Sequence, residues 1–211
     1  MAWVCAELVV LWMVLPVLLW KDVLPALYRI AVLAAAAVYA LWIVRLERVR
    51  RDELGFRGAT GLWPSLVQGT PWVALALPVL ALCTATLHGV GAVGAWPARG
   101  TETLVGLLIS YASVSVTSQE FLYSSFFFWR YRPLFSPGFL VGLNAVVFGI
   151  AHLVYGSWVS VGLALAARVI LARVYRRHGS FWGVWILHLL LGVAAFLVGL
   201  GRYFYRASGS P

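Results

Sequence analysis

Residues 138–155 read GFLVGLNAVVFGIAHLVY, a run without Asp, Glu, Lys or Arg whose only ionisable side chain is His152. About 20 such residues in a helix cross the hydrocarbon core of a bilayer, so this stretch predicts a membrane span. Outward from it the chain repeats the same kind of block. Seven apolar blocks are read, at about 3–20, 25–44, 71–93, 104–128, 138–155, 157–172 and 180–200. The composition agrees: 63% of the 211 residues are hydrophobic and 11% charged, with a mean hydropathy of +0.91, whereas soluble domains are about half apolar and a quarter charged. The expected fold class is all-α, a polytopic transmembrane helical bundle of about seven spans (six to eight). It forms one integral membrane domain over 1–211, with no room for a soluble one.

The formal charge is +9, from 16 Lys+Arg against 7 Asp+Glu. Cytoplasmic loops of membrane proteins carry such an excess, so no nucleic-acid partner is needed to explain it. The polar stretch 45–70, RLERVRRDELGFRGATGLWPSLVQGT, carries five arginines. Together with Arg130 and Arg132, and with Arg173, Arg176 and Arg177, it is expected on the cytoplasmic side, as is the N-terminus. The other side is left with Lys21 and Arg99, and seven spans put Arg202 and Arg206 there too. The first block lacks a basic leader and a small-residue cleavage site, so it reads as a retained span. Cys5 and Cys83 lie in apolar runs, where a thiol behaves as a small hydrophobe; neither a disulfide nor a cysteine metal site is expected. The run Arg45–Arg51 reads as a topology determinant, and Phe126–Arg132, FFFWRYR, as an interfacial aromatic belt with cations.

Ionisable groups within the blocks are few: Glu7, Arg29, His88, Glu120, His152, Arg168 and His188. Glu7, Arg29 and His88 fall near block ends and are expected to reach the interface. Glu120, His152 and His188 lie deeper. Counted from the basic loops at about 1.5 Å per residue, all three sit roughly 15–21 Å from one membrane face. Asn144, Phe148 and His152 follow at i, i+4 and i+8, which puts them on one helical face.

A glutamate and two histidines at one depth fit three chemistries. A carboxylate and an imidazole can take a proton from water while a second imidazole donates to a developing oxyanion. The same three residues, His152, His188 and Glu120, make up a common zinc set with an open water position. Carboxylates and histidines also relay protons in transporters, although neither a broken-helix pair nor an inverted repeat is visible.

On its motifs the sequence resembles the CAAX protease and bacteriocin-processing (CPBP, or ABI) family of intramembrane proteases. The family pattern is Glu-Glu-x-x-x-Arg, then Phe-x-x-x-His, then His-x-x-x-Asn on successive helices. Here Gln119-Glu120-Phe121-Leu122-Tyr123-Ser124 is followed by Phe148-Gly149-Ile150-Ala151-His152 and by His188-Leu189-Leu190-Leu191-Gly192. Asn144 precedes the second motif and a His178-Gly179-Ser180 turn leads into the third. The likeness covers about 101–195, with an echo in Leu54-Gly55-Phe56-Arg57.

The resemblance implies a CAAX-type intramembrane endopeptidase, glutamic or metallo, that cuts a peptide bond in a membrane-associated protein or peptide. Removal of a C-terminal sorting tail or peptide maturation would be its task, and a bacterial plasma membrane its location. It implies that Glu120 and His152 activate water and that His188 assists at the oxyanion, with Gln119, Asn144, Phe148 and Arg168 in support. No cofactor is expected, zinc being the alternative. Three positions depart from the pattern: Gln119 stands at the first Glu, Ser124 at the Arg and Gly192 at the Asn. An amide is no general base, so Glu120 is the one deep carboxylate left, and Arg168 is its expected ion-pair partner. The competing expectation is a non-proteolytic scaffold or immunity-type protein that kept the fold and lost the base at position 119.

Overall fold

The computed structural model describes residues 2–21, 28–94, 109 and 111–204. Among these residues the chain is helical and contains no strand. Helix α1 (Ala2–Val9) continues through a π-helical turn, Val10–Val14, into α2 (Leu15–Trp20), and α3 is Tyr28–Leu46. Helix α4 is Leu62–His88. A central rod follows: π-helical Tyr111–Val116, α5 (Thr117–Glu120), π-helical Phe121–Phe126 and α6 (Phe127–Tyr131). Then come α7 (Pro137–Ala151), a 3₁₀ turn His152–Tyr155, α8 (Trp158–His178) and α9 (Phe181–Leu197).

The last three helices start and stop on local signals. Pro137 opens α7 after the extended Ser136, where its missing N–H has no partner to lose. Ser157 and Ser180 cap α8 and α9, the latter accepting from the Gly183 N–H at 3.1 Å. Gly156 and Gly179 take left-handed backbone between them, a conformation that costs glycine little.

Four helical stretches are long and apolar enough to cross a membrane, Trp3–Trp20, Gly58–His88, Pro137–Tyr155 and Trp158–His178; Ala31–Leu46 and Phe181–Leu197 are apolar but shorter. Each of the seven apolar blocks thus meets a helix, although residues 25–27 of the second and residues 104–108 and 110 of the fourth lie outside the described part. Large apolar side chains such as Trp63, Leu82 and Trp158 are exposed, the surface a lipid-facing helix presents.

Two block boundaries differ from expectation. Helix α4 starts at Leu62, inside the stretch read as a polar loop, because its small residues form a packing face. A Cβ at Gly69 would run into Leu187, and one at Gly183 into Ser65, so α4 and α9 meet at van der Waals distance. Helix α8 runs on to His178, placing Arg176, Arg177 and His178 in its last turn, where the helix dipole favours cations.

The aromatic-belt reading of 126–132 is overturned. Phe126, Phe127 and Tyr131 have no exposed surface and Phe128 is buried; the rod is central, and these rings pack against Trp12 and Tyr175. Three basic segments do share one end of the bundle, since Arg57, Arg132, Arg176 and Arg177 line a common cavity.

Glu7 also departs from expectation. It is buried and binds the rod: Arg130 donates Nε at 3.2 Å and Nη2 at 2.9 Å, and the Tyr39 and Tyr131 hydroxyls each donate at 2.8 Å. Trp12 Nε1 donates to Tyr131 in turn, at 2.9 Å, and Arg130 reaches Glu47 as well. The docking of α1 against the core is what buries Glu7. Removing one partner of a buried pair leaves an uncompensated charge, so Glu7→Ala is expected to cost about 3 kcal/mol. Thermal unfolding in detergent checks this; a melting temperature equal to wild type would show the network to be incidental. His88 is exposed, against Tyr203, as its place at a block end suggests. The Arg29 side chain lies outside the described part.

Candidate active site

Glu120 ends α5, with a π-helical turn on either side. Such turns interrupt the α-helical register and recur at functional sites. The carboxylate is fully buried and both its oxygens are engaged. Arg168 Nη1, from α8, lies 2.9 Å from Oε1 and 3.1 Å from Oε2. The Ser124 hydroxyl donates to Oε2 at 2.5 Å and accepts from Arg168 Nη2 at 2.9 Å.

Arg168 is itself fully buried and fully used. Its Nε donates to Asn144 Oδ1 at 2.6 Å, and Asn144 Nδ2 donates to the Tyr123 carbonyl at 2.8 Å. The guanidinium also faces the rings of Tyr123 and Phe148, at 5.8 and 5.3 Å from their centroids. Burial of an ion pair is tolerable only when the remaining donors and acceptors are met, and here α5, α7 and α8 meet them together. The arginine missing from position 124 is thus supplied by another helix, and Ser124, small and hydroxylic, links the two charges.

His188, on α9, places Nδ1 2.7 Å from Glu120 Oε1. A carboxylate held by an arginine accepts, so Nδ1 carries a proton, and in the neutral ring Nε2 is then the acceptor. His152, in the turn after α7, places Nδ1 2.8 Å from the Phe148 carbonyl. That oxygen can only accept, and again Nε2 is left as the acceptor. Both imidazoles lie against the Phe148 ring, at 4.6 and 5.9 Å between centroids, and both are 8% exposed. Two nearly buried imidazoles therefore flank one ring with their basic nitrogens unspent. The carboxylate is joined to His188 and not to His152.

Gln119 is partly buried. Its Nε2 donates to the Ser115 hydroxyl at 2.7 Å, while Oε1 is buried and accepts from no group among the described residues. A buried acceptor without a donor is costly, and a substrate N–H or a water would relieve it. At Gly192, one turn beyond His188, the Tyr111 hydroxyl fills the space in which a side chain would begin. The Tyr111 ring stands edge-on to His188 at 6.4 Å and to Phe196 at 5.4 Å. Nothing in the motifs points to Tyr111; the only sequence signal is the glycine that makes room for it.

The zinc alternative does not fit this donor set. Among the described residues no three of His, Cys, Asp and Glu are placed to share a metal ion, and the Glu120 oxygens are already taken by Arg168, Ser124 and His188. No step below is routed through a metal.

The rare polar groups of this helical, membrane-compatible bundle converge on Glu120 and two histidines. Residues 101–194 match the family model of the Rce1-like type II CAAX prenyl endopeptidases, and that interval holds Glu120, His152, Arg168 and His188. This is the family that the motifs of the segment resemble. No curated protein and no solved structure matches the chain significantly.

Proposed function

We propose that this protein is an intramembrane endopeptidase that hydrolyses a peptide bond in a membrane-associated protein or peptide, and that its water is activated by histidine. The observation that carries the proposal is the 2.7 Å contact from Glu120 to His188 Nδ1, which leaves Nε2 free. A carboxylate in that position fixes the tautomer and stabilises the imidazolium that forms. The proton of the attacking water moves to His188 Nε2, the oxygen bonds to the scissile carbonyl carbon, and the same proton is later delivered to the leaving amine nitrogen. His152 Nε2 accepts from the water's other hydrogen and so orients it. Glu120 is a positioning residue, kept ionised by Arg168; Asn144 and Phe148 hold Arg168 and the rings in place. Removal of a C-terminal tail, lipid-anchored or sorting, is the favoured task, in a bacterial plasma membrane with the N-terminus and the basic loops cytoplasmic.

One observation favours a second reading, a non-proteolytic scaffold: position 119 carries an amide, and both Glu120 oxygens are engaged by Arg168, Ser124 and His188. Mass spectrometry of membrane-protein C-termini in cells with and without the gene separates the two. The expected result is a set of tails that persist in the deletion strain and are lost again with wild type but not with His188→Ala. Unchanged termini, or full complementation by His188→Ala, would leave the scaffold.

A further inference from the structure

The end of the bundle that carries Arg176, Arg177 and His178 holds a cavity of about 280 Å³. None of Glu120, His152 or His188 lines it. Four arginines do, Arg57, Arg132, Arg176 and Arg177, against two acids, Asp52 and Glu53. Both acids are already balanced: Glu53 Oε2 is 3.2 Å from Arg132 Nη2, and Asp52 pairs with Arg50 at 3.0 Å. Arg57 spends only Nε, on the Asp52 carbonyl at 2.8 Å. Arg176 and Arg177 are exposed and have no acidic partner among the described residues. The cavity therefore carries an unbalanced charge from three guanidiniums, in a concave site that concentrates their field.

The site is also built rigidly. The loop that carries Arg57 is fastened to the helices by Phe181 N–H donating to the Gly55 carbonyl at 3.0 Å and by the Ser125 hydroxyl donating to the Leu54 carbonyl at 2.7 Å. Gly55, at φ +84°, lies so close to the Tyr175 hydroxyl and the Gly179 carbonyl that a Cβ would meet them at 2.8 and 3.0 Å. The Arg57 guanidinium lies against the end of α8, beside Gly179.

The remaining wall is apolar, with Phe128, Trp129 and Phe135. Phe135 stacks on Phe139 at 5.2 Å, and Phe139 is 57% exposed, so an apolar track leads from the arginines to the outer surface of α7. Guanidiniums recognise phosphate oxygens in pairs, and an anion attached to a hydrocarbon chain matches both halves. We propose that this cavity binds the phosphate headgroup of an anionic phospholipid, with an acyl chain along Phe135 and Phe139. It is a lipid site separate from the candidate active site, and it stands whether or not the protein cuts peptides.

The test uses the full-length protein in nanodiscs of phosphatidylcholine, titrated with short-chain phosphatidylglycerol, short-chain phosphatidylcholine, inorganic phosphate, or a peptide with a free C-terminal carboxylate. Phosphatidylglycerol is expected to bind at least about tenfold tighter than the other three. Removing an arginine near an anionic lipid costs about fivefold, so Arg176→Gln/Arg177→Gln should lose about twentyfold, while Arg45→Gln/Arg51→Gln, exposed at the same end but outside the cavity, should change binding less than twofold. Equal losses in the two double variants would reduce the effect to diffuse charge and overturn the site. Equal binding of phosphatidylcholine, or tighter binding of free phosphate or of the peptide, would overturn it using wild type alone.

Discussion

Arg168→Ala is expected to destabilise the protein by about 3–5 kcal/mol, the usual cost of stripping one partner from a buried charge pair. Every acceptor it serves loses a donor at once: both oxygens of Glu120 (left with only His188 and Ser124), the Ser124 hydroxyl and Asn144 Oδ1. Arg168 has no exposed surface, so water cannot take its place without opening the junction of α5, α7 and α8. Arg168→Lys should recover only part of the loss, since an ammonium lacks the planar fork that spans Glu120, Ser124 and Asn144. Arg168→Met combined with Glu120→Gln should be more stable than Arg168→Ala alone, because no uncompensated charge remains. Thermal unfolding of the four proteins in one detergent decides the matter. If Arg168→Ala melted with wild type, the pair would contribute nothing to the fold and Glu120 could not be held ionised in the way proposed.

The Glu120–Arg168 pair was readable in the sequence because burial of charge has few solutions. A chain with one deep carboxylate needs a cation at its level, and Arg168 was the arginine within a span that could reach it. The helical blocks were readable for a similar reason, since an unpaired backbone is untenable in hydrocarbon. What escaped the sequence is tertiary. Ser65 and Gly69 look like loop residues until α9 is seen packed on them. Phe126–Phe128 look like a belt until the rod is found at the centre of the bundle. Glu7 looks interfacial because it is near the N-terminus, and only the docking of α1 brings it to Arg130. The partner of Glu120 among the two histidines was also undetermined, because equal depth says nothing of azimuth; the π-helical turns around α5 set that angle.

The role of Gln119 then turns on which group takes the water's proton. If His188 is the base, His188→Ala should lower kcat by about a thousandfold, within the range for a positioned general base, with KM nearly unchanged. Glu120→Gln should lower it at least as much, by up to about ten-thousandfold, since an amide can hold the wrong tautomer of the ring and cannot stabilise an imidazolium. Gln119→Glu should then leave the rate within about threefold of wild type and cost about 1–3 kcal/mol of stability, because the new charge replaces an amide whose Oε1 already lacks a donor. Among the described residues Ser115 is placed to answer it, through the hydroxyl that now accepts from Gln119. Single-turnover cleavage of a reconstituted membrane peptide reads all three variants. A gain of a hundredfold or more in Gln119→Glu would assign the base to position 119 and make the wild-type protein a weakened enzyme, in which the Glu120–His188 contact serves the fold and not the chemistry.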